Sequence, residues 1–135
     1  MNYRFYYPEW NNRKEVCKDY PQIKEITREP TSFWYGVGPK KTIRKTKKSI
    51  QRLLKRAYPH LPILVIYSIP YRDLGHHSKG GAESNREYLE FISEFCDAIG
   101  DRSPIVIYEP DCIPHMEEMG VVDGLKRLSL IKKSV

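Results

Sequence analysis

With 135 residues, 40% of them hydrophobic and 30% charged, the chain has room for one domain with a real core and little room for two. No apolar run approaches the roughly 20 residues needed to span a bilayer, and the stretch from Met1 to Tyr7 lacks the apolar core of a secretory signal. The formal charge of +6 is concentrated in one segment, and the three cysteines, Cys17, Cys96 and Cys112, have no metal-ligand spacing and an odd count that cannot all pair internally, so free thiols are expected.

In chain order, Tyr3 to Asn12 is an aromatic-rich extended segment, and Asn11 or Asn12 can cap a short helix running to about Tyr20. Pro21 interrupts it, and a second helical piece is expected from Gln22 to Arg28. Thr31 to Gly36, aromatic and closed by glycine, reads as a first strand. From Thr42 to Tyr58, Ile43, Ile50, Leu53, Leu54 and Ala57 recur at helical intervals. The segment's basic residues, Lys40, Lys41, Arg44, Lys45, Lys47, Lys48, Arg52, Lys55 and Arg56, have no acidic residue among them. Such a block can bind nucleic acid; the apolar stripe favours an ordinary helix with a solvated basic face.

Leu61 to Asp73 and Pro104 to Asp111 are then two nearly unbroken β-branched runs that end in proline and a carboxylate, the pattern of strands buried on both faces. Between them, Leu74 to Glu83 holds three glycines and is expected to be a mobile loop. Ser84 and Glu87 have capping-box spacing, and Tyr88, Leu89, Ile92, Phe95, Cys96 and Ile99 mark one helical stripe up to Gly100, a natural stop. A short helical stretch follows near Met116 to Met119. A last helix is expected from Asp123 to Val135, with Leu125, Leu128 and Ile131 inward. The order is strand, helix, three times over, which predicts an α/β fold with a parallel sheet and right-handed crossovers. Three strands leave both edges open, so further chain or a partner is expected beside them.

Parallel strands put their C-terminal tips side by side, so Asp73 and Asp111 should open on one rim. In Glu109-Pro110-Asp111 two carboxylates are close, and like charges that near each other let one remain protonated near neutral pH as a proton donor. Glu109 is either that acid's buried structural partner or a direct participant. Arg72 and the Tyr67 hydroxyl can offset the negative charge. Acids, a tyrosine and the upstream Trp34 together suit glycosidic bond cleavage, because sugars stack on aromatic faces and a departing alkoxide needs an acid. His76 and His77 beside Asp73 invite a metal reading, but adjacent histidines on an extended loop point apart, so neither metal nor cofactor is expected. Gly80-Gly81 lacks the ending of a phosphate loop, and Cys112 reads as a small buried residue.

The succession Val65-Ile66-Tyr67-Ser68-Ile69-Pro70-Tyr71-Arg72-Asp73-Leu74-Gly75, then His77-Ser78-Lys79-Gly80-Gly81, then Ile107-Tyr108-Glu109-Pro110-Asp111, resembles glycoside hydrolase family 6, the inverting cellulases and cellobiohydrolases, over nearly the whole chain. The resemblance implies that residues 1–135 are a single domain, part of a distorted TIM-like α/β barrel that stops after its third βα unit. It implies hydrolysis of β-1,4-glucosidic bonds in cellulose or a related β-glucan with inversion. Asp111 would be the general acid, and Asp73 would raise its proton affinity and help order the water chain. Tyr67 would press on the sugar ring at the cleavage point, Trp34 would stack on a glucosyl unit, Arg72 would support the acid pair, and Ser78 would sit on the loop that positions water. The family commonly has a cysteine where Leu74 stands and a partner cysteine in the region of Gly120 to Asp123; both are missing here. The expected partner is a β-glucan, with no nucleic acid, membrane or obligate protein partner, and the resemblance implies a secreted enzyme although no signal is visible. Family catalytic domains are roughly twice as long, so the isolated chain is expected to be weak or inactive. The alternatives are a non-catalytic remnant that binds glucan through Trp34 and Tyr67, or a basic nucleic-acid-binding module.

Overall fold

The structure is a computed structural model that describes residues 4–8, 13–26, 29–37 and 43–135. The candidate caps Asn11 and Asn12, and Lys40 and Lys41 of the basic block, lie outside these. The elements are α1 (Arg13–Asp19), a 3-10 turn (Pro21–Lys24), β1 (Ser32–Tyr35), α2 (Ile43–Ala57), β2 (Ile63–Ile66), a second 3-10 turn (Asp73–Gly75), α3 (Asn85–Ile99), β3 (Ile105–Tyr108), α4 (Cys112–Glu118) and α5 (Val121–Ser134). The strands form one parallel sheet in the order β1-β2-β3, the expected α/β arrangement. The helical piece expected from Gln22 to Arg28 is, among the described residues, only the single turn Pro21–Lys24.

Strand register divides the sheet into two faces. Leu64 and Ile66 of β2, with Phe33 and Tyr35 of β1 and Tyr108 of β3, turn toward the helices. They meet Ile50, Leu53 and Leu54 from α2, Tyr88, Phe91, Ile92 and Phe95 from α3, and Leu130 from α5. The basic side chains Arg44, Lys45, Lys48, Arg52, Lys55 and Arg56 occupy the solvated face of α2. Val65, with its register partners Trp34 and Ile107, belongs to the opposite face. Burial on both faces holds for β2, the central strand. It fails for β3, whose Ile105, Val106 and Ile107 are all exposed, because β3 is an edge with a neighbour on one side only.

α3 is bounded by the anticipated signals. The Ser84 hydroxyl accepts the Glu87 N–H at 3.1 Å, the Glu87 carboxylate reaches back to the Glu83 N–H at 2.6 Å, and Gly100 closes the helix at φ 56°. Its inward arc runs through Phe91, Phe95 and Ala98, which leaves Cys96 exposed, contrary to the stripe drawn from sequence. α4 begins at once after Asp111, not near Met116, with Asp111 in the cap position but making no side-chain cap bond.

α5 corrects a further expectation. Its buried residues are Gly124, Arg127 and Leu130, with Leu128 and Ile131 partly covered and Leu125 60% exposed. The cause is at Gly124. A Cβ there would stand 3.1 Å from the Met116 carbonyl oxygen, so the missing side chain lets α5 press against α4 along its Gly124 face and rotates Leu125 outward.

A candidate active site at the strand ends

The chain leaves all three strands at one rim, and buried polar contacts sew the exits together. Beyond the strands, the Tyr67 N–H bonds the Tyr35 carbonyl and the Glu109 N–H bonds the Ile66 carbonyl, both at 2.9 Å. Ser68, fully buried, is the knot. Its N–H donates to both carboxylate oxygens of Glu109 (2.9 and 3.1 Å), its hydroxyl accepts the Val37 N–H at 2.9 Å, and its carbonyl accepts the Ala82 N–H at 2.8 Å. This approach is so close that a Cβ on Gly36 would stand 2.4 Å from the Tyr67 carbonyl oxygen.

Glu109 is 1% exposed and sits at φ 45°. Burial pushes its carboxyl up to about 7, against the opposing pull of the Ser68 and Ile69 N–H groups, a Tyr88 hydroxyl and the Arg72 charge. The acid held up toward neutrality in the Glu-Pro-Asp turn is thus the first, and desolvation holds it there where charge repulsion from its neighbour was expected to. Glu109 is a structural post that ties β3's exit to β2's.

Tyr67 is where the exposed groups converge. Its hydroxyl lies in the electrostatic field of both the Asp111 and the Asp73 carboxylates. Burial, then those two carboxylates with Asp111 foremost, push its phenol up to about 12, with the Arg72 charge opposing. Trp34, 55% exposed, meets the Tyr67 ring edge-on with centroids 5.6 Å apart, and the Trp34 indole N–H donates to the Ser32 hydroxyl at 3.0 Å. Asp111 itself is exposed at the start of α4. The structure therefore sets Trp34 against Tyr67 and puts Tyr67 in the field of Asp73 and Asp111.

Arg72 and Ser78 play parts that sequence reasoning described differently. The Arg72 guanidinium lies over the Tyr67 ring, 4.7 Å from its centroid. It donates to the carbonyls of Tyr67 (2.7 Å), Ser78 (2.7 Å) and Lys79 (3.4 Å), so its hydrogen bonds go to the loop backbone and none to the acid pair. Ser78 contributes its N–H to Asp73 Oδ2 at 2.6 Å, leaving the side chain exposed. The loop expected to be mobile is in fact laced. Arg72 and Gly80 form an antiparallel bridge, the His76 N–H bonds the Asp73 carbonyl at 2.8 Å, and the Lys79 N–H bonds the His76 carbonyl at 3.1 Å.

Three residues were missed from sequence. Ser68 and Arg127 carry no local signal. His115 does carry one: it is four residues past Asp111 and so one helical turn along the same face, and its Nε2 stands 3.9 Å from Asp73 Oδ1. Cys112 is buried and its thiol pushed up by desolvation, in line with a packing residue. Among the described residues no group of histidines, cysteines and carboxylates could hold a metal ion, and His76 and His77 face solvent.

The sheet and its rim define a segment of an α/β barrel with an acidic, aromatic-lined mouth at the strand C-termini. The chain belongs to the glycosyl hydrolases family 6, whose family model matches residues 8–129. It is 33% identical over 113 residues to endoglucanase 1 of Streptomyces sp. (strain KSM-9), covering 82% of this chain and 31% of that protein. It is 32% identical over 97 residues to endoglucanase A of Thermobispora bispora, covering 71% and 21%. In fold it is similar to the endoglucanase Cel6 from Mycobacterium tuberculosis, solved in complex with methyl-cellobiosyl-4-deoxy-4-thio-β-D-cellobioside, with a TM-score of 0.83 at 18% identity over 99% of this chain. The chain spans less than a third of the length of those two relatives and 47% of that structure.

Proposed function

We propose that the protein hydrolyses β-1,4-glucosidic bonds of cellulose or a related β-glucan with inversion of configuration, and that this chain supplies the proton-donating side of the site. The observation that carries the reading is Tyr67, its hydroxyl in the field of Asp111 and its ring edge-on to the exposed ring of Trp34. A glucosyl unit resting on Trp34 would then present its glycosidic oxygen next to the one carboxyl group on the rim that is exposed at a helix start.

In this reading Asp111 protonates the leaving oxygen, which lowers the barrier to alkoxide departure. Asp73 shares the surroundings of Tyr67 with Asp111, and its second oxygen, held by the Ser78 N–H, fixes the edge along which a water can be ordered. Tyr67 keeps its proton up to about 12, so it remains a neutral, rigid wall against the sugar ring throughout the working range. Arg72 acts through Tyr67 and the Ser78 loop. The same reading places the protein outside the cell; among the described residues no helix is long and apolar enough to cross a membrane.

Freshly released sugar is expected to appear as the α-anomer when cello-oligosaccharide hydrolysis is followed by proton NMR before mutarotation. Initial release of the β-anomer would replace inversion with a double displacement through a covalent intermediate.

A further inference from the structure

The turn that carries Asp73 is unusual in its backbone. Tyr71, Asp73 and Leu74 all have positive φ (55°, 57° and 46°), a region that side chains with a Cβ disfavour. Three left-handed residues within four positions persist only where surrounding contacts over-determine them. From the solvent side those contacts are the Arg72 bonds to the Ser78 and Lys79 carbonyls. From beneath there is a second guanidinium.

Arg127, in α5, is 5% exposed. Its Nη2 donates to two consecutive carbonyls, Pro70 at 3.0 Å and Tyr71 at 3.2 Å, at the first of the left-handed residues. The Tyr71 carbonyl it grips is also the acceptor of the Leu74 N–H at 3.2 Å, the bond that closes the turn. Its Nη1 is buried with no hydrogen-bond partner among the described residues. A buried cation with an unpaired donor is unfavourable for folding taken alone, and neighbouring Lys126 illustrates the cheaper alternative, an exposed pair with Asp123 at 2.8 Å. The guanidinium also lies within electrostatic reach of Glu109, Cys112 and Tyr67, directly under the rim.

We propose that Arg127 is a positioning residue, which holds the turn of Asp73 in its left-handed form by pinning the carbonyls of Pro70 and Tyr71 from below. Its importance for catalysis rests on the reading of Asp73 given above; its action on the turn does not. A planar guanidinium presents its donors in a fixed direction, whereas a lysine ammonium at the same place sits on a more flexible stem and holds the two carbonyls less firmly.

Amide hydrogen exchange on the whole chain tests this. In Arg127→Met the N–H groups of Leu74, His76 and Ser78 are expected to exchange about tenfold faster relative to the core N–H groups of Tyr88 and Glu109, and Arg127→Lys is expected to restore part of that protection. If the methionine variant does not fold, the lysine variant carries the test with an intermediate loosening confined to the turn. Unchanged turn exchange, an equal acceleration at every amide, or no folded protein from either variant would overturn the proposal. Should Asp73→Asn leave hydrolysis intact, the role given to Asp73 fails while the exchange result keeps its meaning.

Discussion

Asp111→Asn is expected to lower β-glucan hydrolysis by the active protein about 10³-fold, the usual scale of losing a positioned general acid, without loss of the fold. The two halves of that expectation come from the same geometry. Asp111 is exposed, and it opens α4 without a side-chain cap bond, so the amide removes a proton donor and no cap contact. Stability should stay within about 0.5 kcal/mol of the parent, as for most surface substitutions. The loss should also depend on the leaving group. An aryl β-glucoside whose phenolate departs unaided does not need the acid, and the variant should approach parent rates on it. Equal losses on natural and activated substrates would move Asp111 out of the proton-donor role.

Glu109→Gln should change how stability responds to pH. Burial raises the folded-state carboxyl from 4.5 to about 7, so the folded chain holds that proton more tightly than the unfolded chain. The associated stability is fully present below about 4.5, is lost as pH rises through about 7, and amounts to roughly 3 kcal/mol for a shift of this size. Glutamine is neutral throughout and can still accept the Ser68 N–H. Denaturant unfolding of the two proteins at pH 4.5 and at pH 8 should therefore show the parent losing stability relative to the variant by that amount. A parent and variant whose stabilities run parallel across the interval would mean that the ionised carboxylate is already fully accommodated by the Ser68 and Ile69 N–H groups.

What the sequence made legible follows from how local each signal is. The ends of α3 were readable because a serine hydroxyl, a glutamate three residues on and a glycine act within one turn of themselves. The sheet, and the placing of Asp73 and Asp111 on one rim, were readable because parallel strands leave little choice about where their tips lie. Arg127 was not, since burial of a guanidinium depends on carbonyls more than fifty residues earlier, and a stripe drawn by hydrophobicity put Leu125 inward in its stead. The Ser68–Glu109 contact is of the same kind, a bond across 41 residues. Arg72 shows a subtler limit: its place at the site was clear, but whether a guanidinium faces a carboxylate or three backbone carbonyls is decided by loop geometry alone.

Trp34, Tyr67, Asp73 and Asp111 are expected to act as one glucan-binding rim. Titration of the ¹⁵N-labelled chain with cellotetraose, followed by two-dimensional NMR, measures it without requiring turnover. Saturable shifts are predicted at the Trp34 indole N–H and at the Ser78 and Cys112 amides, with Lys48 and Arg52 of α2 unmoved. Absence of any saturable change at the Trp34 indole, or changes confined to the basic face of α2, would contradict it.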